Sequence, residues 1–233
     1  MTSAASLPPV RPVSRAELEQ VYGADGLLRV PDAELPAVVT DPGARAYLGE
    51  VGLIAAPGTM VRLLEPALRA LAEECGPQGP AHDWPGLPND GAGMVVVGHY
   101  GSGVFALDGA TGEVYALGAN RPPTVDGRPA HRSLHSLARC QLAFGGLELT
   151  VMVDQMDPDT IDWCRSHLPE FAELHPAFLD DVDEEDVDPE FFAGQPALED
   201  IVAGLAAKLR AVEPGLLDQP VWQDIMHDFE HGY

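Results

Sequence analysis

Two histidines four residues apart, His131 and His135, are spaced to do chemistry. At the start of a helix they would share a face, and both imidazoles could reach one metal ion. The pattern goes no further. No glutamate flanks His131 as metalloprotease chemistry requires, no third ligand lies nearby, and His82 and His99 are too far along the chain to be placed by spacing. As a general base either histidine would need a nucleophile beside it. A hydrolase or nucleotide-binding reading therefore needs a pocket that sets His99, His131 or His135 against an Asp and a Ser. Structural or surface histidines are the expectation.

Two other segments superficially match a ligand site. Gly101-Ser102-Gly103-Val104-Phe105-Ala106 follows an apolar strand as a dinucleotide fingerprint does, but that chemistry needs a helix N-terminus next, where free N–H groups meet the pyrophosphate. Here Leu107-Asp108 and a turn follow, so only a short strand fits. The run Asp180–Glu190, DDVDEEDVDPE, resembles a calcium loop starting at Asp181, with Asp183 and Glu185 next. Asp186 stands where the loop needs Gly, and Phe192 where it needs the closing bidentate Glu. The expectation is no catalytic residue, no metal and no cofactor. A solvated acidic loop is the favoured reading of the run. Its functional variant is a docking surface for a basic protein, with Asp181, Asp183, Glu184, Glu185 and Asp186 supplying charge and Phe191 and Phe192 as aromatic anchors.

The elements that would carry these residues are legible from patterning. Gly93–Leu117, GMVVVGHYGSGVFALDGATGEVYAL, predicts three short strands, Val95–Tyr100, Val104–Leu107 and Glu113–Leu117, adjacent in one antiparallel sheet. The last two are joined by Asp108–Gly112, a loop of Asp, Thr and Gly that tolerates positive φ. Ser14-Arg15-Ala16-Glu17 is a capping box opening a helix with Leu18, Val21 and Tyr22 on its apolar stripe. Asp41 as N-cap with Pro42 behind it opens a second, through Tyr47, Leu48 and Val51 to Gly52. Met60–Leu64 predicts a strand, Pro66–Cys75 a helix, Gly76–Gly91 a loop and Ser133–Phe144 a helix. Leu147–Val153 fits strand or helix, and Asp157-Pro158 starts a helix through Leu168. Leu198, Ile201, Val202, Leu205 and Leu209 make an amphipathic helix, and Trp222, Ile225, Met226 and Phe229 a last one. A central antiparallel sheet flanked by N-terminal and C-terminal helices is an α+β fold. Residues 1–13 read as a disordered arm and 14–233 as one domain with an acidic loop near 180–190.

Composition narrows the partner. Thirteen Lys+Arg face 37 Asp+Glu, a formal net charge of -24 at pH 7 over 233 residues. Such a surface repels phosphate backbones and anionic membranes, and steers a basic protein toward it. No apolar run is long enough to cross a bilayer, and the first residues lack the apolar stretch of a secretory signal. Cys75, Cys140 and Cys164 are scattered and odd in number, as free thiols of a reducing compartment are. Lys208 is the only lysine, amid abundant Ala, Gly, Pro and Arg, a composition typical of a GC-rich bacterial genome. The cytoplasm is the expected location.

Together these segments resemble the SUKH superfamily, specifically the fourth subgroup of its bacterial immunity proteins. Four stretches carry the likeness: Ser14–Val30; Leu35–Leu53, with Tyr47-Leu48 and then Val51-Gly52-Leu53; Val97–Tyr115, with Gly98, Leu107-Asp108 and Thr111-Gly112-Glu113-Val114-Tyr115; and Leu134-His135-Ser136-Leu137, followed by Trp222 and Gly232. Gly52, Gly98, Asp108, Thr111, Gly112 and Trp222 are the fold-signature positions among them. The resemblance implies a SUKH-like α+β domain without enzymatic activity that binds and neutralises a cognate polymorphic toxin, basic where that toxin is a nuclease or nucleic-acid deaminase. An interaction scaffold of the same fold is the alternative it leaves open, and a small hydrolase or nucleotide-binding enzyme the less favoured one.

Overall fold

The computed structural model describes residues 10–56, 59, 61–63, 67–101, 103–118, 128–144 and 198–231. Among them lie six α-helices and two small antiparallel sheets, an α+β architecture. None of the described helices is long and apolar enough to cross a membrane.

The central sheet has the order β3-β4-β5, built from β3 (Met94–Tyr100), β4 (Gly103–Asp108) and β5 (Val114–Leu117). Registers Val95↔Leu107 and Leu107↔Val114 fix the three predicted strands side by side. Gly103 starts a strand and not a helix, which removes the dinucleotide reading on its own structural criterion. Both faces are buried, so the strands read as continuous apolar runs. Val95, Val97, Phe105, Leu107, Val114 and Ala116 face a large core. Met94, Val96, Val104, Ala106, Tyr115 and Leu117 face a smaller one, closed by Leu71, Trp84 and Leu87. A bulge between Val96 and Gly98 shifts the register of β3. At Gly98 a Cβ would meet Val61 Cγ1 at 2.5 Å, so the Val61 side chain packs against β3 in space that this position leaves open.

The larger core is filled by helices from both ends of the chain. α1 (Arg15–Tyr22) begins at the predicted capping box, where Ser14 Oγ accepts from Glu17 N and Ser14 N donates to Glu17 Oε2. α2 (Pro42–Ala46) begins at Asp41, whose Oδ2 accepts from Ala44 N at 2.7 Å. It continues as a π turn over Tyr47–Val51, and Gly52 ends it at φ 94. β1 (Leu27–Leu28) and β2 (Leu53–Ile54), a pair that the sequence pattern does not announce, join the ends of α1 and α2. α4 (Leu134–Phe144), α5 (Leu198–Val212) and α6 (Pro220–His231) complete this side, with Trp222, Ile225 and Phe229 buried.

The other face corrects two expectations. The helix expected over Pro66–Cys75 is not found in its described part, residues 67–75. Leu68 has φ 57, Arg69 O accepts from Val96 N, Ala70 bridges to Val95, and only Leu71–Glu74 winds into a 3-10 turn. Sheet pairing overrides the helical periodicity there. The Gly76–Gly91 loop holds a short helix α3 (Pro80–Asp83) and a 3-10 turn at Pro88–Gly91. Within the expected strand Met60–Leu64, Arg62 bridges to His99, while residues 60 and 64 lie outside the described residues. The predictions for 147–153 and 157–168 also fall outside them.

Candidate functional site

His131 is the most constrained titratable group of the large core. Its backbone pairs with Val114, extending the sheet beyond β5, which turns the ring inward beneath α4 and α6. Ser136 sits in the first turn of α4, Glu213 follows the end of α5, and Trp222 lies in the first turn of α6. These side chains meet in one buried polar chain. Trp222 Nε1 donates to His131 Nε2 at 3.1 Å, His131 Nδ1 is 3.2 Å from Ser136 Oγ, and Ser136 Oγ donates to Glu213 Oε2. Arg132 Nε closes the chain on Glu213 Oε1 at 2.6 Å. His131 and Ser136 are fully buried, and Glu213 is 6% exposed.

A His, a Ser and a carboxylate in contact are the constellation that a hydrolase reading needs, so the direction of the protons decides. In a catalytic triad the hydroxyl donates to the imidazole and the imidazole to the carboxylate. An indole can only donate, so His131 Nε2 must accept and Nδ1 must carry the proton. Ser136 Oγ then accepts from His131 and gives its own proton to Glu213. The imidazole has no lone pair left for the hydroxyl proton. Burial also pushes the His131 pKa down to about 3, which makes the ring a poor base. The order of donors is that of a structural relay. Sequence reasoning had Ser136 only as part of a stretch of family likeness and did not single out Glu213, yet a signal for their pairing existed. Ser136, Cys140 and Phe144 form one buried stripe at four-residue spacing, and Leu205, Leu209 and Glu213 form another. A polar residue on an apolar stripe marks a buried partner.

The metal pairing of His131 with His135 is not the arrangement found. His135 Nδ1 accepts from Val13 N at 3.1 Å, its ring packs edge-on against Tyr47 at 4.9 Å, and burial, with Arg139 nearby, lowers its pKa. Among the described residues no group of three His, Cys, Asp or Glu is placed to hold a metal. Cys140 is buried with its thiol pKa raised well above the usual value by desolvation, and Cys75 is raised for the same cause, helped by Asp83 and Glu74.

Three of the signature positions, Asp108, Thr111 and Gly112, shape the hairpin loop that ties the central sheet to α2. Asp108 Oδ1 accepts from Ala110 N at 2.8 Å and Asp108 O from Gly112 N at 2.9 Å, folding the hairpin loop back on itself. The carbonyl of Gly109 then accepts from both Thr40 N and Asp41 N, so the loop clasps the start of α2. Gly112 has φ 77, and a Cβ there would meet Asp41 Oδ2 at 2.6 Å. Thr111 Oγ1 accepts from Glu113 N at 3.3 Å. Trp222 anchors α6 in the relay, while Gly52 and Gly98 serve the turn and the close approach described above. The acidic run with Asp181, Asp183, Glu184, Glu185 and Asp186, and Phe191 and Phe192 after it, lies outside the described residues.

Comparison with curated proteins and with solved structures gave no match. The family model for SUKH-4 immunity protein matches residues 13–228, from the residue before the α1 cap to the last turns of α6. That span takes in the hairpin loop, the relay and every signature position, and the chain belongs to the SUKH-4 immunity protein family.

Proposed function

We propose that the protein is a non-enzymatic immunity protein that binds a cognate toxin in the bacterial cytoplasm and neutralises it by occupying its active surface. Family membership over residues 13–228 is the observation that carries this reading. The donor order of the relay supports it, since the one His–Ser–carboxylate contact among the described residues serves packing. The net charge of -24 favours a basic partner such as a nuclease or nucleic-acid deaminase, whose substrate site an acidic surface can mimic. The acidic run is proposed as part of that surface, with Asp181, Asp183, Glu184, Glu185 and Asp186 guiding encounter and Phe191 and Phe192 anchoring. The whole of 14–233 is proposed to act as one domain. The test is coexpression with candidate toxin domains drawn from the genes that flank this one in its host. Rescue of growth together with a stoichiometric complex is expected. Growth arrest despite full expression, or rescue without a complex, contradicts the reading.

A further inference from the structure

On the face of the sheet opposite the relay, a cavity of about 370 Å³ opens between β3, β4 and the 74–84 segment. His99 and Val104, paired across β3 and β4, form part of its lining together with Glu74, Asp83 and Trp84. His99 is only 9% exposed, yet neither ring nitrogen has a hydrogen-bond partner among the described residues. A buried polar group left in this state costs stability, so it needs an explanation. The nearest carboxylate, Glu74 Oε2, lies 3.5 Å from Nε2 without hydrogen-bond geometry, and in the tautomer that carries its proton on Nε2 the ring offers Nδ1 as an acceptor.

The other lining side chains repeat that bias. Glu74 and Asp83 only accept when ionised. Trp84 has a single donor, and it is spent on the carbonyl of Gly118 at 2.9 Å. Asp83 is held ionised by the His82 ring at 3.0 Å and by Gly76 N at 2.9 Å, which lower its pKa. Arg69 pairs with Glu74 Oε1 from outside the lining, so with the histidines counted as neutral one negative charge is left over. A cavity of acceptors, one surplus negative charge and an aromatic wall complements a group that is cationic, planar and donor-only. Guanidinium has those properties, while ammonium lacks the planar fork.

We propose that this cavity is an anchoring pocket for an arginine side chain of the protein partner. The identity of the occupant rests on the immunity reading above, whereas the chemistry of the pocket does not. N-acetyl-arginine amide titrated into the ¹⁵N-labelled full chain should shift the Trp84 indole and His99 ring signals saturably. The glutamine analogue should bind about tenfold more weakly, as should the arginine derivative to Glu74→Gln or Asp83→Asn, each lacking one charge-assisted bond. Asp83 is exposed, so Asp83→Asn decides alone where Glu74→Gln fails to fold. No saturable shift, or an equal response to the glutamine analogue, overturns the pocket. A toxin that binds wild type and Asp83→Asn with equal affinity overturns it as the partner's anchor while leaving immunity intact. A toxin that fails to bind wild type overturns the immunity reading, and the occupant with it, even where the arginine derivative fills the pocket.

Discussion

The indole nitrogen of Trp222 donates to Nε2 of His131 across 3.1 Å, and the two rings meet edge to face at 5.4 Å. That bond fixes the tautomer of the histidine and thereby the direction of every proton down to Glu213. Trp222→Phe keeps an aromatic ring in the core but strands the Nε2 acceptor. It should cost about 1–3 kcal/mol, read as a lower urea midpoint, and should change the His131 ring ¹⁵N pattern. An unchanged midpoint with an unchanged tautomer would contradict the relay.

Ser136 is the link whose removal separates structure from chemistry. Ser136→Ala leaves His131 Nδ1–H and one Glu213 oxygen unpaired and should destabilise the fold by about 1–3 kcal/mol. A fluorophosphonate probe should leave Ser136 of the native wild type unlabelled, because its proton is committed to Glu213 and the side chain is fully buried. Labelling at Ser136 would restore the hydrolase reading.

Acid should weaken the fold in two overlapping windows, of which only the histidine one is open above pH 4.5. The His131 pKa falls from 6.5 to about 3 on folding, so between these values the unfolded chain binds more protons than the native one. The stability from keeping the ring neutral is therefore full above pH 6.5 and is lost as pH drops toward 3, by at most about 1.4 kcal/mol per pH unit. His135, also lowered, adds to the same window. Glu17, held at about 2 chiefly by the Ser14 backbone and hydroxyl, contributes stability above 4.5 that disappears as pH falls toward 2. Urea midpoints at pH 7, 6 and 5 should fall for wild type and fall less steeply for His131→Gln. Parallel slopes in the two proteins would remove His131 from this account.

Gly112→Ala brings a Cβ against the Asp41 carboxylate in a left-handed backbone. The expected loss is roughly 1–3 kcal/mol, seen as a lower melting temperature. Gly204→Ala, with open space around the added carbon in α5, should be neutral or mildly stabilising. Equal melting temperatures for the two variants would show that the clasp between hairpin and α2 yields without cost.

Association with the toxin should slow as salt rises, since screening acts over about 8 Å at physiological ionic strength. Replacing Asp181, Asp183, Glu184, Glu185 and Asp186 by their amides should lower the association rate more than it raises dissociation. Stopped-flow rates at low and high salt check this. An unchanged association rate would reduce the run to a solubility feature and favour the Glu74–Asp83 pocket or the sheet face as the contact.

Local rules made much of the fold legible. The Ser14–Glu17 box, the Asp41-Pro42 start, the strand alternation of 94–117 and the stripes through Leu205 and Trp222 each depend on neighbours within a few residues. What stayed hidden depends on distant ones. The β1–β2 pair is two residues long on each side, too short for a period to register. Pro66–Cys75 has helical spacing, but its backbone is drawn to the edge of β3, a partner some twenty-five positions away. His131 and Ser136 lie five positions apart, but the links on to Glu213 and Trp222 span 77 and 91 positions, so spacing offered the metal pair His131–His135 and could not supply the distant partners that fix the ring. The acceptor bias at His99 is a property of three segments brought together.

The relay also sets a timetable for synthesis. His131 is joined by Trp222 from 91 positions downstream, an interval that takes a ribosome roughly 5–18 s at about 5–20 residues per second. Throughout it the sheet and α4 can exist, but the ring that must lie neutral beneath α6 has no donor and its pocket no lid. Nascent chains of this protein therefore spend seconds with their core open to chaperones and proteases. A premature stop anywhere before α6 leaves His131 without its indole donor and the large core without Trp222, Ile225 and Phe229.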